Sequence, residues 1–127
     1  MKTKVAAIYG KQDIRIREFE LPAITDNELL VSVISDSVCL STWKAAALGS
    51  DHKRVPDDLE NHPVITGHEC AGIIEKKRKN LTDKYKKGQR FVLQPAMGLP
   101  SGYSAGYSYE YFGGNATYMI IPEVAIN

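Results

Sequence analysis

Two short stretches of the sequence carry side chains that could hold a metal ion. Cys39 is followed two positions later by Ser41, and a second stretch runs Gly67-His68-Glu69. Cysteine thiolate, histidine imidazole and carboxylate oxygen are the donors that proteins offer to zinc, and a catalytic zinc takes three protein ligands and keeps one position open. Cys39, His68 and Glu69 are therefore candidate ligands. The alternatives are a buried structural thiol, a structural imidazole and a surface carboxylate.

The residues before Cys39 predict the strands that position it. Apolar and charged residues alternate with a period of two over 14–19, which indicates a half-buried strand, and residues 4–9 complete a hairpin with it. The run 28–38 carries apolar side chains on both faces, which is typical of a strand that is covered on both sides. Cys39 follows this strand directly, so we expect it at the end of a buried strand.

The residues after Cys39 predict one helix and then more strands. Three alanines between Ser41 and Gly49 favour a helix that Ser41 caps and Gly49 ends. The rest of the chain is predicted as a polar loop over 50–62, strands over 65–76, 91–94 and 115–121, and a long segment rich in glycine and tyrosine over 95–114. Short strands separated by turn signals predict a mainly β domain, either a small barrel or a sandwich.

The composition excludes several classes of protein. The 16 lysines and arginines nearly balance the 15 aspartates and glutamates, and the net charge of +1 argues against a nucleic-acid-binding protein. No apolar run approaches the roughly 20 residues of a membrane span. Two cysteines in 127 residues are too few for a disulfide scaffold, and residues 1–10 lack the apolar segment of a signal peptide. We expect a cytoplasmic protein that binds neither nucleic acid nor membrane.

The order of these pieces resembles the N-terminal catalytic domain of the medium-chain zinc-dependent dehydrogenases. In both, a strand leads into Cys39-x-Ser41 and a short helix, a polar loop follows, and Gly67-His68-Glu69 precedes the motif KGQRFV at 87–92. The resemblance implies a GroES-like β-barrel with one or two short helices, covering residues 1–127. The sequence is more similar still to one branch of the family, the L-sorbose-1-phosphate reductases, in the segments 36–44, 51–58 and 106–109.

The resemblance also assigns roles to the site residues. It implies that Cys39 and His68 bind one catalytic zinc, and that Glu69 is the carboxylate beside the metal, able to approach it or a bound water. Ser41 matches the hydroxyl that passes the substrate proton outward, a role that competes with helix capping. The implied chemistry is polarisation of a carbonyl by zinc while a hydride moves to or from a nicotinamide. Cys70 would share a strand face with His68, but the family motif gives it no metal role, so we predict a buried cysteine.

Several positions depart from the family pattern. Many relatives have Asp where this chain has Thr42, and a relay histidine is replaced by Lys44. The segment 95–114 has no cysteine, so we expect no structural zinc. Lys44, Lys53 and Arg54 are the cations nearest the metal motifs and are candidates for binding a substrate phosphate. The alternative for Lys53 and Arg54 is an ordinary surface charge. The tyrosines of 95–114 are expected to pack or to line a subunit contact rather than to touch substrate.

No Gly-x-Gly-x-x-Gly motif follows a strand in this chain. We therefore expect a domain fragment of a longer enzyme, with the Rossmann domain, the NAD or NADP site and the third zinc ligand outside it. The resemblance implies a polyol or ketose phosphate as substrate and a homo-oligomer at full length. We expect the isolated fragment to be inactive, since hydride transfer needs the nicotinamide held against the substrate.

Two other functions fit the same fold. One is a GroES-like module for binding or assembly, which has no chemical reason to keep Cys39, Ser41 and Gly67-His68-Glu69 together. The other is a zinc-free relative of the quinone reductases, which lacks the cysteine and the Gly-His-Glu pattern. The presence of these residues favours the zinc-dependent oxidoreductase, and metal analysis separates it from the zinc-free relative.

Overall fold

Strands dominate the regular structure of this chain in the computed structural model, which describes residues 1–81, 83–94 and 97–126. The strands are β1 (Lys2–Gly10), β2 (Asp13–Glu20), β3 (Leu29–Asp36), β4 (Val64–Ile65), β5 (Cys70–Lys77), β6 (Arg90–Val92) and β7 (Tyr118–Ile121). The α-helices are α1 (Leu40–Leu48) and α2 (Glu123–Ile126), and short 3₁₀ turns lie at Gly49–Asp51 and Lys79–Leu81.

The described strands form two sheets in which the paired strands are antiparallel. One sheet has the order β2-β1-β4 and the other the order β6-β5-β3-β7. The segment 115–118 joins them, because Ala116 bridges to Val5 of β1 while Tyr118 pairs with Ser32 of β3. The prediction of a mainly β domain is confirmed, but the strands form two joined sheets rather than one closed barrel.

The core lies mainly on the sheet that contains β3 and β5. The largest cluster of buried apolar residues there includes Val31, Ile74 and Met119, each at most 1% exposed. A second cluster packs α1 against β1 and the loop after the helix, through Ala45, Ala46 and Ile8 among others. Cys39 therefore lies between two well-packed regions, at the point where β3 ends and α1 begins.

Several local predictions hold and others need correction. The hairpin of β1 and β2 is confirmed, but β2 is not half-buried: Ile14 and Ile16 are 51% and 63% exposed, because β2 is an edge strand of its sheet. Ile34 of β3 is 69% exposed, so that strand is not covered on both faces along its whole length. Ser41 is not the helix cap: Cys39 holds that position, and its carbonyl accepts the N–H groups of the first turn.

The second half of the chain also differs from the prediction in detail. The strand predicted over 65–76 is two strands, β4 and β5, separated by the stretch that carries Gly67-His68-Glu69. The last strand is shorter than predicted, and Pro122 is followed by the short helix α2, which was not predicted. Proline fits the start of a helix, because its missing N–H would have no partner there. Of the predicted loop 95–114, residues 95 and 96 lie outside the described residues.

Candidate metal centre

The structure brings three of the candidate ligands together. Cys39 Sγ, a ring nitrogen of His68 and a carboxylate oxygen of Glu69 all lie within 4.8 Å of one another. They come from two places in the sequence, and the antiparallel pairing of β3 with β5 joins those places by setting Asp36 opposite Cys70. The side chains differ in exposure: His68 is buried, Cys39 is half-buried and Glu69 is exposed.

The position of His68 depends on the glycine before it. Gly67 has a φ of 98°, in the region that side-chain-bearing residues rarely adopt. A methyl group at this position would lie 2.5 Å from the backbone nitrogen of Asn115 and 2.5 Å from Asp36 Oδ2. The backbone here is tied to the neighbouring segment by hydrogen bonds from Gly114 N to Gly67 O and from Asn115 N to Thr66 O, both of 2.9 Å. This glycine thus lets the chain turn the imidazole toward Cys39.

Glu69 is held at the rim of the site. Ser37 Oγ donates a 2.6 Å hydrogen bond to Glu69 Oε2, and the backbone N–H of Ser37 donates to the carbonyl of Glu69 at 3.2 Å. The second carboxylate oxygen of Glu69 has no protein partner among the described residues. This residue can therefore turn one oxygen toward Cys39 and His68 while Ser37 holds the other.

The residues at this site fit a zinc ion. His68 is only 7% exposed, and both of its ring nitrogens are buried without a hydrogen-bond partner among the described residues. A buried imidazole without partners is costly, and a metal bond at one nitrogen removes part of that cost. Thiolate, imidazole and carboxylate together form the donor set that zinc prefers.

Cys70 is buried, as predicted, and stands apart from the three donors. It is 3% exposed, and its Sγ lies 3.9 Å from Met119 Sδ in the core. Burial, with the nearby charge of Asp36, raises the pKa of the Cys70 thiol to about 12. A thiol in this environment stays protonated, so it is a poor metal ligand.

Ser41 lies in the first turn of α1, two residues after Cys39, and is half-buried. Within the described part of the chain, its hydroxyl makes no hydrogen bond. It is therefore free to bond with a molecule that enters beside Cys39. Its role in proton transfer stays a prediction.

Tyr107 links the candidate metal centre to the predicted cations. The edge of the His68 ring lies against Tyr107, with centroids 5.8 Å apart, and His52 stacks on the same tyrosine at 5.5 Å. The Arg54 guanidinium carbon lies 5.5 Å from the centre of the Tyr107 ring. Tyr107 is 3% exposed, so it packs as predicted, but it packs inside the site region.

Two positively charged residues affect the pKa of His52. Its pKa is lowered, chiefly by burial and further by the charges of Arg54 and Lys44. The backbone N–H of Arg54 donates a 3.1 Å hydrogen bond to His52 Nδ1, which leaves the ring proton on Nε2. Arg54 and Lys44 both contribute to this shift, whereas Lys53, which is exposed as they are, does not.

Three residues at this site were not found from the sequence: Asp36, Ser37 and Tyr107. Asp36 and Ser37 lie at the end of β3, and pairing with β5 places them beside His68 and Glu69. Both belong to the segment 36–44 that resembles one branch of the family, but their sequence gives neither of them a role at the metal site. Tyr107 is one of several tyrosines in a long irregular segment, whose path cannot be read from periodicity.

Comparison with known proteins identifies the family. The alcohol dehydrogenase GroES-like domain matches residues 25–126 of this chain. The chain belongs to this family, a class of domains found in oxidoreductases.

Two curated relatives are sugar-phosphate enzymes by name. The chain is 64% identical over 126 residues to a mannitol-1-phosphate 5-dehydrogenase of Aliivibrio fischeri. The aligned region covers 99% of this chain and 30% of that protein. It is 46% identical over 121 residues to an L-sorbose 1-phosphate reductase of Klebsiella pneumoniae, covering 94% of this chain and 30% of that protein. The chain thus spans about 30% of the length of these relatives.

Solved structures share the fold. A 2R,3R-butanediol dehydrogenase of Bacillus subtilis is 25% identical, with a TM-score of 0.75, over 97% of this chain and 39% of that one. A thermostable alcohol dehydrogenase of Pyrobaculum aerophilum, solved with cobalt and zinc, is 20% identical, with a TM-score of 0.74, over 96% of this chain and 40% of that one.

Neither of the described helices of our chain is long and apolar enough to cross a membrane.

Proposed function

We propose that this chain is the catalytic domain of a zinc-dependent, NAD- or NADP-dependent oxidoreductase that acts on a polyol or ketose phosphate. The observation that carries the proposal is the convergence of donor atoms of Cys39, His68 and Glu69 within 4.8 Å, together with the buried ring nitrogens of His68, which have no hydrogen-bond partner among the described residues. The names of the two sugar-phosphate relatives support the substrate class.

Each residue of the site has a part in this proposal. Cys39 and His68 would hold one zinc, with Glu69 beside it, and the bound zinc would polarise the substrate carbonyl. Ser41, whose hydroxyl makes no hydrogen bond in the described part of the chain, would relay the substrate proton: in oxidation it would accept that proton while giving up its own toward solvent, and in reduction the reverse. Ser37 orients Glu69, because its hydroxyl donates a 2.6 Å hydrogen bond to the carboxylate of Glu69.

The cluster beside Tyr107 supplies a place for the phosphate. Arg54 lies over the ring of Tyr107, which also contacts the ring of His68, and the charges of Arg54 and Lys44 both lower the pKa of His52. Arginine offers a paired fork to phosphate and lysine a point charge. Tyr107 positions Arg54 through its ring face. Lys53 is the third predicted cation, and the present contacts give it less support.

The remaining parts of the proposal concern the whole protein. We propose that a Rossmann domain outside these 127 residues holds the nicotinamide and supplies a third zinc ligand. We further propose a single catalytic zinc without a structural one, a cytoplasmic location and a homo-oligomeric assembly. The domain-sized match to longer relatives supports the further domain, and the lack of cysteine in 95–114 supports a single zinc.

The metal content of the full-length protein tests the proposal. We expect about one zinc per chain by elemental analysis, and loss of both zinc and activity in Cys39→Ala and His68→Ala. Matched controls are Cys70→Ala, at a buried thiol away from the donors, and His62→Ala, at an exposed imidazole. Both controls should retain zinc. A wild-type protein without zinc, or a His68→Ala variant that keeps it, would contradict the proposal and favour the zinc-free or binding-module alternatives.

A further inference from the structure

Asp36 and His68 share an unusual property. Among the side chains of residues 1–81, 83–94 and 97–126, the buried nitrogen and oxygen atoms that lack a hydrogen-bond partner are Asp36 Oδ1 and Oδ2 and His68 Nδ1 and Nε2. Buried polar groups are paired in the great majority of cases, and an unpaired one needs an explanation. Here all four such atoms belong to two residues, one of which is a candidate zinc ligand.

The two residues are neighbours in space. Asp36 is the last residue of β3 and pairs with Cys70, which is two residues beyond His68. The carboxylate of Asp36 packs so closely on the backbone of Gly67 that a methyl group there would lie 2.5 Å from Oδ2. Gly114 lies close to the same oxygen and likewise leaves no room for a side chain. The carboxylate is thus held against the residue that directly precedes His68.

The electrostatic environment of Asp36 agrees with this geometry. Burial raises its pKa, while the nearby backbone N–H groups of Ser37 and Glu69 and the ring of His68 lower it. None of these groups forms a hydrogen bond to the carboxylate with acceptable geometry. The carboxylate therefore faces donors without being satisfied by them.

A bound metal changes the hydrogen-bonding needs of the imidazole. Once one ring nitrogen of a histidine binds a metal, the other carries the proton and needs an acceptor, which in most metal sites is a carboxylate, a carbonyl or a water. Ser37 already occupies one oxygen of Glu69. Asp36 is the buried carboxylate that remains without a partner.

We propose that Asp36 is the positioning residue of this metal centre, accepting a hydrogen bond from the ring N–H of His68 that points away from the metal. This inference rests on the proposed function, because it requires a metal bound by His68. The bond fixes the tautomer and the orientation of the ring and makes the coordinating nitrogen more basic. Asp36 is not itself assigned as a ligand, since it is absent from the group of donor atoms that lie within 4.8 Å.

Zinc affinity of the full-length protein gives the first test. Competition with a chromophoric chelator should show zinc bound about 10- to 100-fold more weakly by Asp36→Asn than by wild type, the range for loss of a carboxylate that orients a ligand. The matched control is Asp26→Asn, an exposed residue before β3, at the far end of that strand from Asp36. It removes the same charge and should leave zinc affinity unchanged.

The metal-free protein separates positioning from a structural role. Without metal, Asp36 is a buried and unpaired carboxylate, so Asp36→Asn should not lower the melting temperature of the metal-free protein. The same variant should lower the melting temperature of the zinc-loaded protein. A purely structural role would predict a lower melting temperature in both forms, and that result would overturn the proposal.

A spectroscopic signature completes the test. In zinc-loaded protein with ¹⁵N-labelled histidine, a strongly downfield imidazole N–H resonance should be present in wild type and in Asp26→Asn and lost in Asp36→Asn. Unchanged zinc affinity and an unchanged N–H resonance in Asp36→Asn would overturn this inference and leave the proposed function standing. A wild-type protein that binds no zinc would overturn both.

Discussion

At the scale of single residues, Lys44 and Arg54 allow the sharpest test of the substrate class. Replacing either with methionine removes one charge-assisted bond to a phosphate, which should cost about 1.5–3 kcal/mol in kcat/KM. We expect that loss for a ketose phosphate and little change for the free ketose. Steady-state kinetics of the full-length enzyme with both substrates measures the difference.

Lys53→Met provides the comparison for these two variants. It removes the same charge one residue before Arg54, at an exposed position outside the charges that act on His52. It should alter both substrates little. Equal losses on both substrates in Lys44→Met and Arg54→Met would show that these cations do not bind the phosphate.

The residues of the site were predictable to different degrees. Cys39, His68 and Glu69 could be found because their chemistry and their local motif are both visible in the sequence, and the structure brings their donor atoms together. Asp36 could not, because its importance arises from burial and from the pairing of β3 with β5. Tyr107 is part of the site only because a long irregular segment folds back over it.

At the scale of elements, the turn between β4 and β5 sets the position of the metal-binding side chains. Gly67→Ala should destabilise the domain by more than the roughly 1–2 kcal/mol of a strained backbone, because the methyl group would also contact backbone atoms. Gly88→Ala is the matched control, since Gly88 has a φ of 86° but nothing within 4 Å of the added carbon. Urea unfolding measures both, and equal losses would disprove the steric contribution.

The same turn explains one limit of the sequence-based prediction. Apolar character continues over much of 65–76, which indicates a single strand. The left-handed backbone at Gly67 and the hydrogen bonds of Thr66 to Asn115 interrupt it, and both depend on contacts distant in sequence. The β1–β2 hairpin was predictable because its pairing is local and its turn residues lie between the two strands.

At the scale of the whole molecule, a hydrogen-bonded contact at Thr3 helps to join the two sheets. Thr3 is 1% exposed, and its hydroxyl donates to Tyr118 O at 2.6 Å and accepts from Tyr118 N at 3.1 Å. Thr3→Val keeps the shape of the side chain but leaves the backbone N–H and carbonyl of Tyr118 without this partner. We therefore expect a loss of about 2–4 kcal/mol in the free energy of unfolding. Thermal or urea unfolding measures this loss.

Thr117→Val is the corresponding control at an exposed position. Its hydroxyl accepts a bond from Lys4 N at 2.9 Å and shares a long 3.5 Å contact with the hydroxyl of Thr3, and water can replace both at this exposed position. The expected loss is below about 1 kcal/mol. If the two variants lose equal stability, the junction at Thr3 is no more important than an ordinary surface contact.

The junction at Thr3 also has a consequence for protein synthesis. Thr3 and Tyr118 are 115 positions apart, so a ribosome that adds 5–20 residues per second makes the second partner roughly 6–23 s after the first. During that interval the β1–β2 hairpin can form. The edge of β1 that faces away from β2 stays unpaired until the residues that pair with it have been synthesised. A nascent chain with an unpaired strand edge is exposed to association with other chains. Slower translation after residue 20 would lengthen this vulnerable period, and binding of a chaperone to the early hairpin would shield it.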